Sequence, residues 1–271
     1  MKVSLVTISY NQARFLEEAI RSVLQQNYPA LEYIVVDAGS SDDSRAIIEK
    51  YRSQISKIIF EPDRGPADGL NKGFSHASGK IFGYLNADDL LLPGAIAAIT
   101  RVFQKKPALD VLSGHGWVVD ENSRPLYREF SWPYSLTFYR YQCTTILQQA
   151  TFFRAEKFWQ SAGFNLANKT CWDSELMVDL ALRGARFGLT NQFLACFRLH
   201  KDSISGSARL KTEYEQNVQR ILQRLPATSK IPGARAFICL RNRLANPYAL
   251  FWRTLDEIQH PGAHKTLRMP Q

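Results

Sequence analysis

Residues 3–37, VSLVTISYNQARFLEEAIRSVLQQNYPALEYIVVD, contain two short apolar runs separated by a segment of helical periodicity. The runs at 3–9 and 33–37 are rich in β-branched residues, which is typical of buried strands. A helix is predicted to begin near Asn11 and to end before Pro29, because proline cannot continue a helix. Its predicted apolar face consists of Phe15, Leu16, Ala19, Ile20, Val23 and Leu24. The stretch therefore predicts a strand, a crossover helix and a second, parallel strand.

The same alternation continues to about residue 100. KIIF at 57–60 and IFGYL at 81–85 predict a third and a fourth strand. A helix is predicted after the second strand, with Asp42 and Asp43 in its first turn, where the positive helix end favours acids. Another helix is predicted after the third strand, with an apolar face of Leu70, Phe74 and Ala77. The pattern predicts an α/β fold in which helices cover a parallel sheet.

Polar residues follow each predicted strand. In open α/β sheets ligands bind outside the carboxyl ends of the strands, so these residues predict one binding site at one rim of the sheet. They are Ser9, Tyr10 and Asn11; Asp37, Ala38 and Gly39; 63–68; and Asn86, Asp88 and Asp89.

The second half of the chain is less regular. Residues 110–130 predict extended structure that turns at 120–122, and 148–164 predict a strand followed by a short helix. Residues 172–188 predict an amphipathic helix that ends at Gly184. Its predicted apolar stripe is Leu176, Met177, Leu180 and Ala181. A further helix is predicted over 209–225, and the remainder mixes arginines with large aromatic residues.

Composition limits the possible partners. With 45% apolar and 22% charged residues, the 271-residue chain is typical of a globular protein. The net charge of +9 is compatible with nucleic acid, an anionic membrane surface or a phosphate-bearing ligand. The first 200 residues contain no block of basic residues interleaved with stacking aromatics, so nucleic acid is not an expected partner.

The four cysteines form no C-x-x-C pair, which argues against a zinc site and against a compact disulfide framework. Buried free thiols are therefore predicted for Cys143, Cys171, Cys196 and Cys239. The apolar run at the N-terminus is too short for a signal sequence, and no apolar stretch approaches the roughly 18 residues of a membrane span. A cytoplasmic location is expected.

Asp88 and Asp89 lie side by side directly after the fourth predicted strand. Neighbouring carboxylates there suit a divalent cation, Mn²⁺ or Mg²⁺, that carries a diphosphate. Adjacent side chains diverge as the chain leaves a strand, so one acid is expected to face a ribose hydroxyl and the other the cation. The alternative is that the pair only caps the following helix.

Three segments in order, the stretch from Val6 to Ser44, EPDRGPADGLNKG and GKIFGYLNADD, resemble the nucleotide-sugar-binding half of the family 2 glycosyltransferases. The resemblance is close over the first 100 residues and looser as far as His200. It implies an α/β fold of GT-A type, with a Rossmann-like mixed sheet flanked by helices and a small C-terminal helical extension. The implied parts are a nucleotide-sugar half at 1–105, an acceptor and catalytic-base half at 106–208, and the extension at 209–271.

The resemblance also implies an activity. A member of this family moves a sugar with inversion from a nucleotide diphosphate donor, here expected to be a UDP-sugar, to a hydroxyl group. The expected acceptor is a glycan or lipid-linked glycan in polysaccharide, lipopolysaccharide or capsule assembly. The expected cofactor is Mn²⁺ or Mg²⁺.

The nucleotide and metal residues follow from the resemblance. Asp37 would accept a hydrogen bond from the uracil ring, and Lys72 would neutralise phosphate charge. The implied nucleotide-binding set is Thr7, Ser9, Tyr10, Asn11, Asp37, Gly39, Asp68, Lys72 and Asp88. Asn86 replaces the first acid of the family's Asp-X-Asp motif. Metal binding is therefore assigned to Asp89, with His200 near the diphosphate or metal.

The catalytic base implied by the resemblance is Asp173, with Trp172 where relatives carry a glutamate. Asp173 is predicted in the first turn of a helix, where the helix dipole favours its ionised form. The alternative is that Asp173 is a plain helix cap. Glu175 and Asp179 are interpreted as solvated helix charges. Gln149 and Trp172 are expected to line the acceptor pocket.

Other classes of protein fit less well. A dinucleotide-binding dehydrogenase requires G-x-G-x-x-G after the first strand, and that segment contains no glycine. A sugar-nucleotide pyrophosphorylase requires a glycine-rich phosphate loop near the N-terminus, which is missing. Asn86 and Trp172 leave open a catalytically silent nucleotide-sugar-binding module. The basic and aromatic C-terminal segment either lies on an anionic membrane or forms helices packed on the catalytic part.

Overall fold

The structure, a computed structural model, describes residues 1–201, 203, 210–226 and 234–259. Within these residues the strands are β1 Val3–Ser9, β2 Leu31–Asp37, β3 Lys57–Phe60, β4 Ile81–Asn86, β5 Leu90–Leu91, β6 Val111–Val119, β7 Pro125–Glu129, β8 Thr151–Arg154 and β9 Phe187–Arg198. The helices are α1 Ala13–Leu24, α2 Ser44–Lys50, α3 Pro66–Ser75, α4 Ala95–Lys105, α5 Leu136–Arg140, α6 Ala155–Gln160, α7 Trp172–Leu182, α8 Lys211–Gln223, α9 Ala234–Leu244 and α10 Pro247–Gln259.

The described strands form one mixed sheet in the order β3-β2-β1-β4-β8-β6-β9-β5, with β7 paired to β6. Strands β1 to β4 are parallel, as the sequence predicts, and β8 joins β4 in the antiparallel direction. In the registers, Ser9 pairs with Asp37, and Asp37 pairs with Phe60. Asn86 pairs with Ile8 on the other side of β1. The carboxyl ends of the four strands are therefore level, which brings their polar continuations to one edge.

Two hydrophobic clusters cover the two faces of the sheet. Alternate residues of β1 point to opposite faces, so Leu5 belongs to one cluster and Val6 to the other. The first cluster is covered by apolar residues of α1, α2 and α4, and the second by those of α3, α6 and α7. Both clusters contain residues from before and after position 105, so the two predicted halves share one core.

Helix α3 packs unusually close to the sheet. A Cβ added at Gly73 would lie 2.4 Å from Val6 Cγ1, so only glycine permits this approach. One turn earlier, a Cβ added at Gly69 would lie 3.2 Å from Ile8 Cγ2, so this part of α3 lies over the end of β1, beside the predicted binding edge.

The prediction for α7 is only partly correct. Leu176, Met177 and Leu180 pack in the second cluster, and Gly184 follows the helix end with a φ of +77°. Val178, however, is also fully buried, in a third cluster with residues that include Ile221 of α8. Helix α7 is thus buried on two sides rather than along one stripe, because α8 covers the face that was expected to be solvated.

Glu175 is not a solvated charge, which corrects the sequence interpretation. Its side chain is buried, and Oε1 and Oε2 accept hydrogen bonds from Arg220 at 2.7 and 2.8 Å. Asn165 and Asn168 donate two more hydrogen bonds. Burial alone would raise the pKa of Glu175, but these donors outweigh it and lower the pKa to about 2. Asp179 is also paired, with Arg224.

Helix α2 begins at Ser44, so Asp42 and Asp43 precede the helix instead of lying in its first turn. Asp42 has another function in the fold. Its carboxylate accepts hydrogen bonds from the backbone N–H groups of Ala13 and Ser44, at 2.9 and 3.0 Å. It therefore connects the start of α1 to the start of α2.

The C-terminal helices pack against the rest of the chain. Arg128 of β7 forms a 2.7 Å ion pair with Asp256 of α10, and its guanidinium lies 4.4 Å from the ring centre of Trp252. These contacts correspond to the packed-helix alternative. The described residues include no helix that is both long and apolar enough to cross a bilayer. The predicted boundary at 208/209 and residues 260–271 of the predicted extension lie outside the described residues.

Cys143 and Cys239 form a disulfide bond, which corrects the prediction of four free thiols. The bond joins the segment after α5 to the middle of α9, 96 residues apart in sequence. Cys171 and Cys196 are buried and free, as predicted.

Candidate active site

A cavity of about 1910 Å³ opens at the carboxyl ends of β1 and β4. On one side it is lined by strand ends and by the loop before α3, including Ser9, Tyr10, Asp63 and Asp88. On the other side it is lined by residues 142–149, the start of α7, and α8 and α9. The cavity therefore joins the predicted nucleotide-binding edge to the predicted acceptor side.

Six of the predicted site residues line this cavity, and the remaining predicted residues do not. Those that line it are Ser9, Tyr10, Asp88, Gln149, Trp172 and Asp173. The other eight predicted residues lie behind or beside the cavity wall, where most of them hold the lining residues in place. They are Thr7, Asn11, Asp37, Gly39, Asp68, Lys72, Asp89 and His200.

Asp37 is fully buried beneath the cavity edge. Its carboxylate accepts hydrogen bonds from the N–H groups of Gly39 and Ser40 and from Ser40 Oγ, at 3.1, 2.9 and 2.5 Å. Gly39 has a φ of +95°, a conformation that favours glycine in this turn. In this structure Asp37 shapes the loop after β2, and its neighbour Ala38 lines the cavity.

Thr7 and Asn11 also act inside the fold. Thr7 is fully buried and its Oγ1 accepts a hydrogen bond from Tyr33 Oη at 3.0 Å. Asn11 has a φ of +53°, and its Oδ1 accepts a hydrogen bond from the N–H of Ser41 at 2.8 Å. The loop after β1 is therefore tied to the loop after β2, and Ser9 and Tyr10 are presented to the cavity between them.

Asp68 and Lys72 support the loop before α3. Asp68 accepts a hydrogen bond from the N–H of Arg64 at 3.0 Å, and Lys72 donates one to the carbonyl of Pro62. Asp63, in the same loop, faces the cavity, and burial raises the pKa of its carboxyl group. The two predicted α3 residues thus fix the position of Asp63.

Asp88 and Asp89 have opposite environments. Asp88 lines the cavity, and its Oδ2 lies 3.0 Å from Nε2 of His200. Asp89 is buried outside the lining, and its Oδ1 accepts a hydrogen bond from the backbone N–H of Arg198 at 3.0 Å. Burial, followed by the nearby charge of Asp88, raises the pKa of Asp89 well above its usual range.

Arg198 is a residue that the sequence reasoning missed. It is fully buried at the end of β9, and its Nε donates a 2.7 Å hydrogen bond to the carbonyl of Asp88. Its other side-chain nitrogens reach Ser123 Oγ at 2.8 Å and Glu18 Oε2 at 2.7 Å. Arg198 therefore holds the turn that carries both acids. Its position two residues before His200 was the available signal.

The cavity edge has oxygen ligands suited to a cation. Asn86 Oδ1 is buried and accepts no hydrogen bond, and the Asp88 carboxylate lies two residues further on. Among the residues described, no three acidic, histidine or cysteine side chains are close enough to form a metal site by themselves. Mg²⁺ and Mn²⁺ commonly take one or two protein oxygens together with phosphate oxygens. The residues fit a cation that is shared with a phosphate-bearing ligand.

Asp173 is the second residue of α7 and faces the cavity. Burial raises its pKa, and backbone N–H donors of the first helical turn offset this only in part. The expected stabilisation of the carboxylate by the helix end is therefore outweighed by desolvation. A carboxylate with a raised pKa binds a proton more readily, which is the property that a general base needs.

Several buried polar groups in the cavity wall have no hydrogen-bond partner within the described structure. They are Ser9 Oγ, Tyr84 Oη, Tyr134 Oη, Gln149 Nε2 and Trp172 Nε1. Buried polar groups are normally paired, so a group of unpaired donors around one cavity indicates a site that a polar ligand completes. Hydroxyl-rich molecules such as sugars can satisfy such donors.

Tyr84 and Tyr134 were also missed by the sequence reasoning. Tyr84 lies two residues before Asn86 on β4, and alternate strand residues share a face, so its position was predictable. Its pKa is raised by burial and by the charge of Asp173. Tyr134 lies in an irregular segment without a periodic pattern, and no signal in the sequence pointed to it.

The chain matches the profile described as Glycosyl transferase family 2 over residues 4–160, more than half of its length. TuaG of Bacillus subtilis (strain 168), whose name assigns it to teichuronic acid biosynthesis, is 26% identical over 227 residues, which is 82% of this chain and 89% of TuaG. An uncharacterized glycosyltransferase of Nostoc sp. is 36% identical over 132 residues. That match covers 45% of this chain and 41% of the relative. It thus spans about two fifths of the relative's length.

A third relative is the GalNAc(5)-diNAcBac-PP-undecaprenol beta-1,3-glucosyltransferase of Campylobacter jejuni, 32% identical over 104 residues. The match covers 37% of this chain and 34% of that enzyme. The shared segment is therefore short compared with either protein.

Solved structures share the fold. TarS 1-349 from S. aureus in complex with UDP-GlcNAc has a TM-score of 0.69 at 19% identity, covering 96% of this chain and 76% of that one. The mannosyltransferase PcManGT from Pyrobaculum calidifontis, in complex with GDP-Man and Mn²⁺, has a TM-score of 0.65 at 19% identity. The match covers 98% of this chain and 73% of PcManGT. The predicted fold class, a mixed sheet of GT-A type flanked by helices, is confirmed.

Proposed function

This chain belongs to glycosyl transferase family 2, and from that premise we propose that it transfers a sugar with inversion from a UDP-sugar to a hydroxyl group of a glycan. The observation that carries the proposal is a cavity lined by Asp88, by Asp173 and by the residues that carry the unpaired polar groups. Neither a dehydrogenase nor a pyrophosphorylase needs a second carboxylate, such as Asp173, across the cavity from the strand ends.

In the proposed reaction, Asp173 accepts the proton of the acceptor hydroxyl as its oxygen forms a bond to C1 of the donor sugar. The bond between C1 and the diphosphate oxygen breaks on the opposite face, and its electron pair leaves with the diphosphate. Desolvation around Asp173 supports this step because it raises the proton affinity of the carboxylate. Tyr84 and Tyr134 belong to the same cavity wall, and their unpaired hydroxyl groups are proposed to gain partners when a sugar binds.

The donor is proposed to lie between the loop after β1 and the turn after β4. Ser9 and Tyr10 line that side, and Asp63 closes it from the loop before α3. The proposal of a UDP-sugar is supported by the shared fold with TarS bound to UDP-GlcNAc. The same fold with GDP-Man in PcManGT makes GDP the alternative nucleotide.

The proposed cofactor is Mn²⁺ or Mg²⁺, held by Asp88 with Asn86 and His200 nearby. The placement favours Asp88 over Asp89, because only Asp88 lines the cavity. A bound divalent cation would offset the negative charge of the leaving diphosphate. His200 positions the Asp88 carboxylate through its 3.0 Å contact, and Arg198 fixes the turn behind it.

Replacement of the base tests the proposal. Asp173→Asn is expected to lower sugar transfer by about 10²- to 10⁴-fold, because the amide cannot accept the proton. The Kd for UDP should stay within about twofold of wild type, since Asp173 lies on the acceptor side. Transfer can be measured with a radiolabelled UDP-sugar, together with slow donor hydrolysis in the presence of Mn²⁺.

A matched control is Asp43→Asn, which removes the same charge from an exposed position. Near wild-type transfer in Asp173→Asn would refute the base assignment. Binding of UDP by the wild type with neither transfer nor donor hydrolysis would instead indicate the silent nucleotide-sugar-binding module.

The acceptor is proposed to be a glycan or a lipid-linked glycan in cell-surface polysaccharide assembly, at the inner face of the membrane. The names of TuaG and of the Campylobacter enzyme support this class of pathway. Helices α9 and α10 support membrane contact, because they expose large apolar side chains while the chain carries a net charge of +9. The exposed residues, here called the outer apolar face, are Phe237, Leu240, Leu244, Tyr248, Phe251 and Ile258.

A further inference from the structure

Helix α9 has an unusual distribution of side chains. Arg235, Cys239 and Arg243, spaced four residues apart on one face, line the cavity. The apolar residues Phe237, Leu240 and Leu244 lie on the outer apolar face. A surface helix normally turns its apolar stripe inward and its charges outward. The reversal in α9 gives the cavity a cationic wall.

The two arginines of this wall have no anionic partner in the part of the chain that the structure describes. Neither Arg235 nor Arg243 forms an ion pair with any carboxylate of the described residues, and both side chains are exposed. Arg220, which also lines the cavity, has its charge offset by Glu175. The free guanidinium groups of α9 therefore attract an anion from solution.

The position of the wall is fixed by two connections to the acceptor side. The disulfide from Cys239 to Cys143 lies midway between the two arginines in sequence. Asn242 is buried and donates a 2.8 Å hydrogen bond to the carbonyl of Cys143. Arg235 and Arg243 are separated by roughly 12 Å along the helix axis. The backbone positions of both arginines on this section of the cavity are therefore fixed.

A third arginine extends the wall from α10. The Arg253 guanidinium lies 6.0 Å from the ring centre of Trp132, and both residues line the cavity. Trp132 is itself buried, so it supports Arg253 from behind and presents no ring face to a ligand. Arg253 thus adds a third guanidinium group to the wall, which suits a ligand with an anionic group.

We infer that Arg235 and Arg243 form a subsite for a phosphate group of the acceptor, so that the acceptor is a phosphate-bearing sugar rather than a neutral one. This inference rests on the proposed function, in which the donor occupies the strand-end side of the cavity. That side carries Asp63 and Asp88, whereas the unpaired cations lie on α9. The wall therefore meets the acceptor and is separate from the donor diphosphate. Arginine suits this ligand because its planar guanidinium donates two parallel hydrogen bonds to phosphate oxygens.

The subsite can be tested with small probes while saturating UDP blocks the donor site. N-acetylglucosamine 1-phosphate is the charged probe and N-acetylglucosamine the neutral one, with binding to the full-length chain followed by ligand-observed NMR. Wild type is expected to bind the charged probe about fivefold or more tightly. The double variant Arg235→Gln, Arg243→Gln should bind the two probes equally.

The matched control is Arg101→Gln with Arg241→Gln, which lowers the net charge by the same amount. Arg101 is exposed on α4, and Arg241 lies on α9 over the ring of Phe138, outside the cavity lining. The control should keep the preference for the charged probe. Equal binding of both probes by wild type, or an unchanged preference in the Arg235 and Arg243 double variant, would overturn the inference.

A second arm identifies the source of the phosphate. Neutral phosphatidylcholine vesicles containing a polyprenyl diphosphate are compared with a soluble glycerol phosphate oligomer, each as competitor of the charged probe. Competition by the vesicles indicates a lipid-linked acceptor, and competition by the oligomer indicates a phosphate-containing polymer. Both outcomes support a phosphate subsite, whereas competition by neither contradicts it.

Donor hydrolysis in the absence of acceptor separates this inference from the proposed function. Wild type should bind UDP and hydrolyse the UDP-sugar slowly without acceptor, whatever the result of the probe experiment. If the wild type neither binds UDP nor hydrolyses the UDP-sugar, the proposed function is refuted. Normal hydrolysis together with an unchanged probe preference in the double variant would refute only the subsite.

Discussion

Two effects act in opposite directions on the pKa of Asp173. The first turn of α7 favours a carboxylate there, while the buried wall of the cavity disfavours any charge. Burial is the larger effect, so the pKa of Asp173 is raised. The sequence predicted the helix position correctly, but it could not show that the surrounding cavity wall desolvates the carboxylate enough to outweigh the helix end.

The raised pKa predicts the pH dependence of transfer. As the proposed base, Asp173 must be deprotonated to accept a proton, so activity is expected to fall as pH falls through its pKa in the folded protein. The acid limb of kcat/KM is expected at a higher pH than an ordinary aspartate gives, and kcat/KM should be measured from pH 4 to 8 with saturating donor. An acid limb in the usual range of aspartate would contradict the proposed role of burial.

At the scale of the element, the strands in the first half of the chain were predictable from the sequence. Several contacts between elements far apart in the chain were not. The strands of the parallel sheet are continuous apolar runs, so β1 and β3 match their predicted limits. The arginine partners of Glu175 lie 45 residues or more away on and after α8, and Arg198 lies 110 residues from Asp88. Local patterns contain no information on such pairs, which form only when the elements pack.

Glu175 joins α7, which carries the proposed base, to α8. Glu175→Gln is expected to lower the free energy of unfolding by about 2–3 kcal/mol, because a buried carboxylate with four donors is replaced by a neutral amide. Urea unfolding at pH 7 measures this change. Glu213→Gln, in the first turn of α8, is the control and should change stability by less than about 0.5 kcal/mol. Equal stability of the two variants would show that the arginine contacts contribute little.

At the scale of the whole molecule, the second half of the chain completes the sheet and the cavity. Strands β6, β8 and β9 extend the sheet from β4, and the segments around them supply the far wall of the cavity, where the acceptor is proposed to bind. The position of the cavity at the strand ends was predictable from the sequence. The residues of the far wall were not, because they come from irregular segments and from helices whose packing depends on distant contacts.

The outer apolar face provides a test of membrane contact. Wild type is expected to bind vesicles containing 30% phosphatidylglycerol more tightly than vesicles of phosphatidylcholine alone, measured by co-sedimentation. Phe237→Ser with Phe251→Ser should weaken binding about thirtyfold, since each ring contributes on the order of 1 kcal/mol. Leu126→Ser with Leu182→Ser alters exposed apolar residues elsewhere and should have little effect. Equal binding by both double variants would argue against this face.

The bond between Cys143 and Cys239 has a practical consequence for preparation of the enzyme. It links residues that are 96 positions apart in sequence. A cross-link of this span lowers the conformational entropy of the unfolded chain, which raises the free energy of unfolding by roughly 4–5 kcal/mol. Dithiothreitol in a purification buffer would reduce this bond and release helix α9 from the segment after α5 at the proposed acceptor side. Michaelis constants measured with and without reductant would therefore belong to the reduced and the oxidised protein respectively. An expression host that keeps thiols reduced would yield only the reduced form.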